Sequence, residues 1–216
     1  MSIGTYYAEA LQTAKKFKNL LVFFVLTHTV LLAFGQWMVA SKNPGVLAFR
    51  AAQLKEIQNL PYLKPLTGAL ADSLALKILY TFFFNLVFGA FFSTTLTGLV
   101  FFFPYVIAVW RSFIVGILVF GLNSSASAMI VFYGTFILEF GAYSISSAAG
   151  TDLGLSLLSP GRKGKATRAE AVRESMRDMA KLYRLVIIIL FLSAVWEISW
   201  LQYLGPLIKP GEGLPQ

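Results

Sequence analysis

The sequence predicts an all-α membrane protein: a bundle of about five transmembrane helices, with a cytoplasmic amphipathic, basic helix before the last span. Three observations carry that prediction. The chain of 216 residues is 57% hydrophobic and only 13% charged, and its mean hydropathy of +0.70 is far outside the range of a water-soluble domain. Several uninterrupted apolar runs reach the roughly 18 residues that mark a spanning helix. The alternating segments of about 10 residues that a membrane barrel would need are not seen.

The spans are read at 20–40, 78–99, 104–121, 128–149 and 185–204, within one integral membrane domain covering 1–216. The first follows Lys15, Lys16 and Lys18 and lacks a small-residue cleavage site near its end, so it reads as a retained span and not as a signal peptide. An outer loop at 41–73 carries Pro44, Pro61 and Pro65 around a mildly amphipathic stretch at 46–60. That stretch reads either as a short helix on the membrane surface or as a linker. The second span ends in Ser93, Thr94, Thr95, Thr97 and Gly98, an interruption that predicts a kink or turn. Pro104 then suits the first turn of the third span, where its missing N–H is tolerated. The short outer loop after it holds the sequon Asn123-Ser124-Ser125, too close to the membrane for easy glycosylation. A basic segment at 159–184 precedes the fifth span. From 167 to 185 it has no helix breaker, and it continues into that span. Glu170, Glu174 and Asp178 stand at helical spacing from Arg173, Arg177 and Lys181, which predicts an exposed, charge-paired face.

The basic residues set the orientation. Lys15, Lys16 and Lys18 precede the first span, and Arg162, Lys163, Lys165, Arg168, Arg173, Arg177, Lys181 and Arg184 lie between the fourth and fifth. An odd number of crossings puts both clusters on one side, and the positive-inside rule makes it the cytoplasm. The chain is then a multi-pass protein of the plasma membrane, N-terminus inside and C-terminus outside. Lys42, Arg50, Lys55, Lys64 and Lys77 in and beside the outer loop argue weakly the other way. Because the net charge of +8 lies mostly beside the spans, it reads as topology and no nucleic-acid partner is expected. With no cysteine and a single histidine, His28, thiolate chemistry, a dedicated metal site and an intramembrane metalloprotease are not expected. No cofactor is implied.

Polar residues inside the apolar runs carry the functional question. Glu139 and Glu197 each sit mid-span, where a carboxylate costs at least a few kcal/mol, so such residues face a bundle interior and are paired, protonated or functional. Counting the helical rise from each cytoplasmic end places Glu139, Glu197 and His28 near the midplane, with Arg111 somewhat closer to the cytoplasm. Arg111 is the natural partner for one glutamate through two hydrogen bonds. The other would be protonated, share the arginine or pair with His28. Asn85, nearer the outer side, is placed to bridge helices. On the fourth span Ala142, Ser146, Gly150 and Gly154 form a ladder of small residues every four positions, a seam for close helix packing. Glu139 shares that face and should point at another helix.

The stretch EFGAYSISSAAGTDLG, starting at Glu139, resembles the signature of the stage II sporulation protein M family, in which a span carries Glu, a small residue, Ala-Ala-Gly and a further Gly. Asn85, the run Trp110-Arg111-Ser112 with Gly116, and Ala194-Val195-Trp196-Glu197 are similar to other motifs of that family. The chain departs from it at Thr135 and Phe136, where a His-Gly pair is common, and at Arg111, where Asn is usual. The best-known member is a membrane component of the machinery that remodels peptidoglycan during engulfment, where it anchors partner proteins. The resemblance therefore implies a non-enzymatic scaffold or subunit of a membrane complex, embedded in the lipid bilayer and partnered by a second copy or by other membrane or cytoplasmic subunits. The alternative is a transporter or permease subunit whose intramembrane glutamates bind a proton or a cationic substrate.

Overall fold

The computed structural model describes residues 3–57, 59–121 and 126–204. The sequon at Asn123 lies outside them. In order, α1 (Ile3–Lys16) leads into α2 (Lys18–Ala40), then α3 (Pro44–Ile57), a single turn α4 (Lys64–Thr67) and α5 (Leu74–Phe84). α5 continues without a break as a π-helix (Asn85–Leu96) and a 3-10 turn (Thr97–Leu99). α6 (Phe103–Val119), α7 (Ala126–Leu158), a 3-10 turn (Pro160–Lys163) and α8 (Arg168–Leu204) complete the bundle. No strand occurs among the described residues.

Among the described residues four helical stretches are long and apolar enough to cross a membrane: Lys18–Ala40, Leu74–Leu99, Ala126–Leu158 and Arg168–Tyr203. α6, with 17 residues, is shorter, though at 1.5 Å per residue it still extends about 25 Å. Contacts give its direction. Phe23 stacks on Tyr105, His28 meets Ser112 and Gly35 abuts Gly116, so α2 and α6 run parallel. Asn85 meets Glu139, Thr94 meets Ser146 and Gly98 abuts Gly154, so the α5–π segment and α7 also run parallel. Two parallel helices joined through α6 need α6 to return along the bundle. α6 therefore runs antiparallel to both, as a fifth, shorter apolar helix of the bundle. α7 and α8 pack antiparallel, with Trp196 at Val131 and Ser175 at Asp152.

The polar run after Gly89 explains the π-helix. Ser93, Thr94 and Thr97 donate their hydroxyls to the carbonyls of Gly89, Ala90 and Ser93, at 2.5, 2.6 and 2.7 Å. Side chains that bond back four residues compete with the backbone for those carbonyls and bend the helix. The kink expected here is thus spread over a long widened helix. α3 is a helix and not a linker: Asn43 Oδ1 accepts from the backbone N–H groups of Gly45 and Val46 at its start. Its buried Arg50 donates to the Phe120 carbonyl at 2.5 Å, satisfying a group at the C-terminal end of α6. This cation is taken up in capping α6. Thr167 and Glu170 form a capping box at the start of α8: the Glu170 N–H donates to Thr167 Oγ1 and the Thr167 N–H to Glu170 Oε2.

Three expectations change. α7 runs nine residues past the expected end of the fourth span, from 149 to 158, because Gly150 to Gly154 are buried against the π-helix and the turn after it. The face of α8 between 167 and 185 is only partly exposed: Ala171, Ser175, Asp178 and Leu182 are buried. Its acids reach across to other elements instead of along the helix, Glu174 to Lys165 at 2.9 Å and Asp178 to Lys163 at 3.5 Å. The residues before the first span, expected only to carry charge, form the helix α1. It packs on α8 through buried Ala10 and Thr13, and Arg184 of α8 lies 3.8 Å over the Tyr6 ring while bonding the Tyr6 carbonyl and Glu9.

Candidate functional site

The intramembrane polar residues lie in one central zone of the bundle, shared out among different partners. α7 supplies Glu139, which accepts a hydrogen bond from Asn85 Nδ2 at 2.5 Å across to the first turn of the π-helix. One turn nearer the basic end, Tyr143 fills the space beside Gly89, where an added Cβ would overlap its ring. Arg111 of α6 lies 4.2 Å over that ring. Its guanidinium donates to the Gly89 carbonyl through both terminal nitrogens at 3.2 Å, and to Ser93 Oγ at 2.7 Å.

This corrects the pairing expected for Arg111. Among the described residues neither Glu139 nor Glu197 forms an ion pair with it. The physical reason is the π-helix, which leaves a carbonyl and a hydroxyl directed at α6 where the arginine can satisfy its fork without a carboxylate. His28 does not pair with a glutamate either. Its Nδ1 shares a hydrogen bond of 2.5 Å with Ser112 Oγ, and its ring stands perpendicular to Phe140 with centroids 4.9 Å apart. Ser112 Oγ also lies 2.8 Å from the Ala108 carbonyl, and His28 Nε2 is buried without a partner.

The seam of Ala142, Ser146, Gly150 and Gly154 faces the π-helix and the turn that follows it. Ser146 bonds Thr94 Oγ1 at 2.7 Å, and its carbonyl accepts from Thr95 Oγ1 at 3.2 Å. A Cβ on Gly98 or Gly154 would overlap the opposite backbone. Thr95 also reaches α8 through Tyr183 Oη at 2.6 Å.

Glu197 stands apart from this network. Among the described residues it makes no hydrogen bond or ion pair. It and Glu139 line a cavity of about 360 Å³ between α6, α7 and α8, whose walls are otherwise mostly apolar, including Val115, Phe136 and Trp200. Both glutamates sit deep in the bundle and keep partial surface because they face this space. Gly134 helps to form it: the Trp196 ring lies across that glycine and donates to the Val131 carbonyl at 3.2 Å, which sets the turn of α8 carrying Glu197 and Trp200.

A second polar cluster, at the basic end, was not expected from the sequence. Lys163 Nζ lies 2.8 Å from Asp152 and 3.5 Å from Asp178, all three side chains being nearly buried, and Ser175 donates to Asp152 at 2.6 Å. Ser175 in turn meets Ser156 at 2.7 Å. Lys16 approaches Asp178 at 3.9 Å from the surface. The cluster ties the turn between α7 and α8 to both helices and to the end of α1. At the exposed edge, the hydrogen bond from Lys165 holds the Glu174 carboxyl below its ordinary range and holds Lys165 itself above its own. The only hint in the sequence was Asp152 inside the glycine-rich signature.

Among the described residues no group of three or more His, Cys, Asp or Glu side chains is arranged to hold a metal ion. Comparison with curated proteins and with solved structures returned no match. The family model described as stage II sporulation protein M matches residues 20–200. That span takes in the α2–α6 pair, the π-helix, the seam and both intramembrane glutamates, so the chain belongs to the stage II sporulation protein M family.

Proposed function

We propose that this multi-pass membrane protein acts as a non-enzymatic scaffold or subunit of a larger membrane complex. The observation that carries this reading is how the central polar groups are used. Asn85 with Glu139, Arg111 with Gly89 and Ser93, His28 with Ser112, and Thr95 with Tyr183 each hold one helix to another. A bundle locked in this way presents a fixed outer surface. That surface carries large apolar side chains such as Trp37, Ile137 and Tyr203, each more than half exposed, suited to lipid or to the spans of other subunits. The basic residues around Lys16 and Lys163 meet at one end of the bundle, which supports a cytoplasmic N-terminus, an outside C-terminus and residence in the plasma membrane. Extraction in a mild detergent, with the mass of the protein–detergent particle measured and co-purifying chains identified, tests the reading. An assembly of several chains is expected, made of copies of this one or of this one with others. A lone 23.9 kDa chain with no partner would remove the reading's support.

One observation favours a second reading, a transporter or permease subunit: both glutamates face the same cavity. Carboxylates at mid-depth facing open space are what a site for a proton or cation needs. Flux measured in liposomes decides it, with Glu139→Gln abolishing transport if the reading holds and no flux above protein-free liposomes if it does not.

A further inference from the structure

We propose that the cavity between α6, α7 and α8 is a binding site for an amphiphilic primary amine, its ammonium held between Glu139 and Glu197 and its apolar chain against the aromatic wall. The inference concerns binding alone and rests on neither functional reading: it holds whether the occupant is carried across or kept in place.

Four observations lead to it. The volume of about 360 Å³ falls in the range of small-molecule sites, which are mostly apolar with a few convergent polar groups. The polar groups that reach it are the two carboxylates of Glu139 and Glu197. Acceptors remain: Asn85 occupies one oxygen of Glu139 and leaves the other, while Glu197 has no partner among the described residues. The nearest cation, Arg111, is committed to Gly89 and Ser93 and pairs with neither acid.

Burying carboxylates without compensation is costly, and a cation between them offsets that cost. A hydrated metal ion is a poor fit, because the cavity offers two carboxylates and apolar walls where such ions take six or more oxygens. An ammonium has three donors for these acceptors. Phe136, Phe140 and Trp200 line the same space and give a hydrocarbon chain an apolar wall.

The test uses the full chain in discs of phosphatidylcholine, titrated with n-octylammonium, n-octanol and n-octanoate, which share a chain and differ in the head. Tryptophan fluorescence reports occupancy as the part of the response that Trp200→Phe removes, Trp200 being on the cavity wall and Trp37, Trp110 and Trp196 giving the rest of the signal. Saturable binding of octylammonium is expected, at least about tenfold tighter than octanol, the worth of one charge-assisted hydrogen bond. Glu197→Gln should bring octylammonium down to the octanol level and leave octanol binding unchanged, which also shows that the cavity is intact. Glu197→Asp should keep the preference. Equal affinity for the three heads, no saturable octylammonium binding, or a preference that survives Glu139→Gln combined with Glu197→Gln would each overturn the proposal. Discs containing phosphatidylethanolamine separate two sources of the same chemistry. Lost octylammonium binding there assigns the site to a lipid amine and retained binding to a free amphiphile, and either result supports an ammonium site.

Discussion

Gly150→Ala adds one methyl group where the π-helix leaves no room. The new Cβ would stand 2.9 Å from Thr95 Cα and carbonyl oxygen, and closer still to the Thr94 carbonyl, where ordinary contact begins near 3.4 Å. The two backbones must separate by about one ångström at the Thr94 carbonyl, which loosens the Thr94–Ser146 and Thr95–Tyr183 hydrogen bonds. Overpacking of this kind costs about 1–3 kcal/mol. Alanine also gains up to about 1 kcal/mol of helix propensity over glycine, so the net loss should lie between about zero and 3 kcal/mol. Gly141 is the internal control, lying in the same helix with nothing within 4 Å of the position a methyl group would take. Gly141→Ala should be neutral or stabilising by up to about 1 kcal/mol. Reversible unfolding by SDS titration in mixed micelles, followed by circular dichroism, measures both variants. A gap between them of about 1–3 kcal/mol is expected. Equal stabilities would refute the claim that the seam is closed by backbone contact at Gly150.

Three further outcomes are expected. Lys163→Met leaves Asp152 and Asp178 nearly buried without their cation and should cost about 3–5 kcal/mol in the same titration, with Asp152→Asn in the same chain recovering part of the loss; a cost near zero would mean that the cluster is solvated. Asn85→Leu removes the donor to Glu139 and should cost about 1–3 kcal/mol, while Asn85→Asp should be worse because it sets two carboxyls together; wild-type stability in both would contradict the bridge. The Glu174–Lys165 bond holds the folded Glu174 below its ordinary value of 4.5, so its contribution is present above that value and fades as pH falls through the lowered one. Hydrogen exchange over residues 164–170, corrected for intrinsic rates, should rise on that acidification in the wild type. Glu174→Gln should already show the faster exchange at neutral pH and no further rise, and an unchanged profile in the variant would disconnect the bond from the loop.

Much of this architecture was open to inspection in the chain itself. Apolar run length and charge placement depend on the bilayer and not on neighbouring helices, so the spans, the continuous helix through 167–204 and the family signature starting at Glu139 were readable. The four-residue ladder from Ala142 to Gly154 likewise named a packing face, because helical periodicity alone puts small residues in line. The partners were another matter. Arg111 pairs with a π-helical carbonyl and Ser93 instead of a glutamate, since the rotation of α6 and the widening of the helix opposite it decide which acceptor lies within reach. Asp152, Lys163 and Asp178 form one cluster only because the turn after α7 folds back between two helices, a closure that no local pattern records. The cavity, too, exists only in three dimensions: two glutamates 58 positions apart in the sequence face one space because α7 and α8 pack antiparallel and Gly134 lets Trp196 lie close. Local chemistry determined which groups are costly to bury in this protein, and packing decided which of them are satisfied by a neighbour and which remain open.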